Sequence, residues 1–116
     1  MTVDSIAGVL LVAISGTLDA PGCRQLDECL QRAARARRGV VVDFTDAENL
    51  PRQAIESLVE ARSRLGVRLR VVMPRGEPPH TALRRAGVHH TLAVHSSRPA
   101  ALAATRAAAP PPPRGS

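Results

Sequence analysis

Val40-Val41-Val42 is an unbroken run of β-branched residues, followed directly by Asp43 and Phe44. Side chains alternate between the two faces of a strand, so a run with no polar break must be covered on both faces. This segment reads as a central strand, sandwiched between helices or neighbouring strands. It passes through Asp43 into a short loop, and a helix opens at Pro51, a residue suited to a first helical turn. Over residues 51–65 the buried stripe is Ile55, Leu58, Val59 and Leu65, with Ala54 and Ala61 alongside. Glu56, Glu60 and Arg64 take the other side, and Gly66 closes the helix.

The flanking segments fit around that strand. Thr2 to Ile6 and Val9 to Ser15 read as strands of a hairpin turned by Ala7-Gly8. Asp19 is placed to cap a helix beginning near Pro21. Leu26, Cys29, Leu30, Ala33 and Ala34 form its apolar stripe, and Gly39 is its expected stop. Val67 to Met73 alternates apolar residues with Arg68 and Arg70, which predicts a half-exposed or near-edge strand. After a Pro-rich loop, Thr81 is expected to cap a short helix through Ala86, with Gly87 as the stop. A short strand over Thr91 to Val94 and an Ala-rich helix over Pro99 to Ala109 complete the order β-β-α-β-α-β-α-β-α. Such alternation predicts a mixed sheet with parallel members joined by right-handed crossovers. One domain over residues 1–109 is expected, followed by a disordered Pro-rich tail at 110–116.

Composition narrows the function classes. The only aromatic residue is Phe44, so aromatic platforms for base stacking are missing. All 16 basic residues are Arg, and the formal net charge is +6. The Arg residues are dispersed and form no basic arm, so solvated helix faces account for them. Cys23 and Cys29 lie roughly 120° apart around one helix and are expected to stay as buried free thiols. No apolar run is long enough to cross a membrane, and no signal peptide precedes the domain, so a cytoplasmic protein is expected.

Chemistry-bearing constellations are sparse. Asp43, Asp46 and Glu48 cluster at the C-terminal end of the central strand, where open α/β sheets often bind ligands. A Mg²⁺ site there is weighed against a scaffold role for Asp43, and the scaffold role is preferred. His80, His89, His90 and His95 lack the partners of a metal site and read as solvated residues. There is no nucleophile–base pair, GxGxxG sequence or phosphate loop. No catalytic residue, metal or cofactor is assigned, and the protein is expected not to be an enzyme.

Several motifs in order resemble one family. Ile14-Ser15-Gly16-Thr17-Leu18-Asp19 resembles the Leu-Ser-Gly-Glu-Leu-Asp of STAS domains of the anti-sigma factor antagonist type. Val41-Val42-Asp43-Phe44-Thr45 resembles their Val-Leu-Asp-Leu-Ser. Leu69 to Pro74 is similar to their Leu-Val-Leu-Val-Gly-Pro, and Leu83-Arg84-Arg85-Ala86-Gly87-Val88 to their Leu-x-Leu-Thr-Gly-Leu. The resemblance runs from about residue 9 to 105 and implies a STAS-like α/β fold with helices packed mainly on one face. It implies a binding module in a partner-switching system that controls transcription. Its partner would be an anti-sigma factor of the kinase-like ATPase fold, and a homodimer is compatible with it.

In that family the helix start typically reads Asp-Ser-Ser-Gly or Asp-Ser-Thr-Gly, and phosphorylation of the serine ends docking. A phosphate adds about −1.5 to −2 charges at the interface. Here the same positions read Pro51-Arg52-Gln53-Ala54. The scaffold is present without the acceptor, so this site is read as degenerate and not regulated by phosphate. Ser57, Thr45 and Ser63 have no positional match as substitutes. The expected partner surface is Asn49, Leu50, Arg52, Gln53 and Glu56. Two other readings remain open: an accessory subunit of an ABC lipid transporter, and a basic nucleic-acid-binding protein. The first reading expects no nucleic acid and no membrane insertion.

Overall fold

A computed structural model describes residues 1–108, and the tail expected at 110–116 lies outside the described residues. β1 (Thr2–Ile6) and β2 (Val9–Gly16) form an antiparallel hairpin. Ala7 and Gly8 both have positive φ, 50° and 83°, the pairing that lets a two-residue turn follow the twist of its strands. α1 (Ala20–Ala36), β3 (Val40–Ala47), α2 (Arg52–Leu65), β4 (Leu69–Val72), α3 (Pro78–Arg85), β5 (Ala93–His95) and α4 (Arg98–Ala108) follow. The five strands lie in the order β1-β2-β3-β4-β5, parallel from β2 onward.

β3 is central, and Val40, Val41, Val42 and Phe44 are fully buried. Its alternation serves two layers. Val40, Val42 and Phe44 join Leu26, Leu30, Leu58 and Leu83 in the main core, which covers one face with α1, α2 and α3. Val41 faces the other way and packs with Val9, Leu11, Val72 and Ala101 under α4. The expected packing mainly on one face is therefore present, with α4 alone on the reverse.

Boundaries differ from expectation in four places, each for a local reason. α1 ends through Arg37, which adopts the left-handed conformation at φ 54°, and not through Gly39. Gly39 is buried for another purpose: a β-carbon there would lie 2.6 Å from Thr105 Cγ2 of α4. β4 starts at Leu69, because Gly66–Arg68 forms a 3-10 turn. It lies between β3 and the edge strand β5, as the near-edge reading expects, but Leu69, Val71 and Val72 are buried, so it is not half-exposed. α3 begins at Pro78, with Glu77 as a cap residue that makes no side-chain hydrogen bond. Two prolines fit the first turn, where no amide donor is needed, and Thr81 falls inside the helix. β5 is displaced from the expected Thr91–Val94 to Ala93–His95.

Both cysteines are free and buried. Among the described residues no helix is long and apolar enough to cross a membrane.

Candidate functional site

The end of β3 is held by charge. Asp43 is buried among strand backbones, and its carboxylate accepts hydrogen bonds from the Thr45 amide (2.9 Å), the Thr45 hydroxyl and Arg98 Nε (2.8 Å). Burial alone would raise the Asp43 pKa, but the Thr45 and Arg98 hydrogen bonds outweigh it and hold the carboxyl below its ordinary value. Asp43 thus ties the middle of the sheet to the first residue of α4. Asp46 is exposed, and Glu48 accepts from the Thr17 hydroxyl at 2.9 Å. The three carboxylates do not converge. No cluster of three His, Cys, Asp or Glu side chains placed to hold a metal occurs among the described residues.

The loop from β3 to α2 is bound to the loop from β2 to α1. Asn49 Oδ1 accepts from the Leu18 amide at 2.7 Å, and Asn49 Nδ2 donates to the Leu18 carbonyl at 3.1 Å. The Glu48 amide donates to Gly16 O at 2.9 Å. Leu50 is buried in the main core. Of the five residues expected at the partner surface, Asn49 and Leu50 therefore shape the loop, and the side chains of Arg52, Gln53 and Glu56 are left open to solvent. Arg52 and Glu56 face each other at 3.6 Å on one helical turn, with side chains 92% and 70% exposed. An ion pair so exposed contributes little stability.

The first turn of α2 lacks a side-chain cap, because Pro51 at that position has none to give. Burial first, then the Asp19 carboxylate, push the Cys23 thiol above its ordinary pKa, with the Ala54 backbone acting in the opposite direction. Ala54 is itself fully buried, so it stands as the floor of the turn. Arg52 and Gln53 stand above it.

No hydroxyl is presented at this turn. Ser57 is only 8% exposed, not the solvated hydroxyl expected, because it faces α1 across a shallow groove lined by Leu30, Ala34 and Ala61. Thr45 is engaged with Asp43, and the Ser63 hydroxyl donates to the Glu60 carbonyl at 2.6 Å. Beside the α2 start runs an apolar groove between α2 and α3, lined by Leu50, Ile55, Val59, Ala82 and Val88. Sequence reading missed this groove, since α2 and α3 meet only in the fold. It missed Arg98 for the same reason.

The comparisons agree on one architecture. A family model described as STAS domain matches residues 1–101. An anti-sigma factor antagonist from Mycobacterium paratuberculosis superposes with a TM-score of 0.78 at 22% identity, covering 90% of this chain and 92% of that one. A candidate anti-sigma factor antagonist from Thermotoga maritima gives 0.74 at 9% identity, covering 90% and 93%. The anti-sigma factor antagonist SpoIIAA in its unphosphorylated form gives 0.68 at 12% identity, covering 90% and 96%. No curated protein matches in sequence.

Proposed function

This chain belongs to the STAS domain family, and we propose that it acts by docking a protein partner through the start of α2, as an anti-sigma factor antagonist without a phosphate switch. The observation that carries this reading is the exposed Arg52-Gln53 pair on a turn whose loop is clamped by Asn49 and whose floor is Ala54. A rigid, solvent-facing turn is a preorganised contact and loses little conformational freedom on binding. The neighbouring apolar groove supplies surface that a partner would desolvate. A serine in this turn would let one added phosphate end docking. Arg52 and Gln53 fix the charge instead.

The partner proposed is an anti-sigma factor of the kinase-like ATPase fold, which places the protein in transcriptional control. The contribution is binding, with no chemical step by this chain. The test is titration with anti-sigma factors from the source organism, comparing the natural chain with Arg52→Glu and Gln53→Ala. Both variants should fold normally and bind about tenfold more weakly. Unchanged affinity in both, or no binding to any such factor, would contradict the reading.

A further inference from the structure

We propose that a basic concavity between α3 and the loops on either side of it takes an acidic segment of a protein partner. Arg75, His80, Arg84, Arg85 and His89 line it, with no carboxylate among the lining residues. Glu77, the acid nearest in sequence, caps α3 and does not line it. None of the three ion pairs among the described residues involves Arg75, Arg84 or Arg85. The contrast with α2 is direct, where Arg52 and Arg64 each meet a glutamate one turn away. Like charges gathered without counter-charge attract an anionic partner and repel a cationic one.

Two further observations concern His89, which lines the concavity. His89 Nδ1 is shut away from solvent with no hydrogen-bond partner among the described residues. A buried polar atom left unpaired carries a cost in the free chain. The His89 ring lies against that of His90, with centroids 3.9 Å apart and planes tilted by 44°. Its pKa lies below the ordinary value, from burial first and then from His90, Arg84 and His80.

The shape selects the occupant. α3 has eight residues, about 12 Å of helix, too short to follow a nucleic-acid backbone. The only Phe, Tyr or Trp side chain, Phe44, is fully buried, so no large aromatic platform faces the concavity for stacking bases. Arg85 also lines the apolar groove between α2 and α3. A protein docked at α2 could therefore continue into the basic concavity, and the choice of a protein rests on the docking reading above.

The experiment measures fluorescence anisotropy of a labelled peptide of alternating Glu and Leu. A labelled DNA duplex and phosphatidylserine vesicles are measured beside it. The peptide should bind the natural chain, and added salt should weaken it. Arg84→Glu combined with Arg85→Glu should weaken it about tenfold, and the double Gln variant should do so less. Both positions are exposed, and circular dichroism checks that the variants fold. Arg106→Glu, on α4 at the reverse face, should leave peptide affinity unchanged. Absence of peptide binding, equal binding by the double Glu variant, or tighter binding of DNA or vesicles than of peptide would overturn the proposal. Failure of the anti-sigma titration with peptide binding intact would instead remove the docking reading alone.

Discussion

The Asn49 side chain closes both of its amide hydrogen bonds on the backbone of one residue, accepting from Leu18 N at 2.7 Å and donating to Leu18 O at 3.1 Å. This two-point contact joins loops 31 residues apart and fixes how α2 leaves the sheet. A residue that looks like a contact in sequence is a clamp in the fold. Asn49→Ala should therefore destabilise the protein by about 1–3 kcal/mol, since two partly buried backbone groups lose their partner. Chemical denaturation gives the value. Full stability together with weakened partner binding would return Asn49 to the docking surface.

The ion pair between Asp43 and Arg98 should make stability depend on acid pH. The folded-state pKa of Asp43 is depressed, so its contribution is fully present above the ordinary aspartate pKa. It is lost as pH falls from that value through the folded pKa. Arg98→Ala should cost about 1–2 kcal/mol at neutral pH, the Arg98 side chain being 45% exposed and partly screened. It should also flatten part of the acid-side loss. Thermal melts of both proteins across that pH window check this, and parallel curves would count against the assignment.

Gly39 is required by close approach to α4. A methyl group there would lie 2.6 Å from Thr105 Cγ2, and Thr105 is fully buried with its hydroxyl donating to Ala101 O at 2.8 Å. Gly39→Ala should cost about 1–3 kcal/mol by overpacking. Thr105→Ser removes the clashing carbon and should recover part of that loss in the double variant. A double-mutant cycle measures the coupling, and strict additivity would refute the contact.

Local pattern carried most of the fold into the sequence. Val40-Val41-Val42 announced a strand covered on both faces, and β3 is that strand. Asp19 announced the start of α1, and its carboxylate does accept from Gly22 N at 2.9 Å. Errors arose where two local signals competed. Gly39 looked like a helix stop, yet Arg37 took the left-handed position and left Gly39 free to serve α4. Thr81 looked like a cap, yet the prolines before it already suited the first turn. The site was legible only in part. The order Pro51-Arg52-Gln53-Ala54 could be read along the chain, whereas the burial of Leu50 and Ser57 depends on what packs across from them. Arg98 meets Asp43 across 55 residues, and no periodicity joins positions so far apart.

The central claim is that α2 offers a docking turn that no phosphate can switch. Ser57, the one hydroxyl of α2 near that turn, is 8% exposed and should be closed to a kinase while the helix is folded. The direct measurement is intact-protein mass after incubation with ATP and an anti-sigma factor kinase that binds this chain, followed by fragment mapping. The account predicts an unchanged mass and a complex that persists after ATP is added. A single added phosphate mapped to a residue of α2, with loss of the complex, would contradict it.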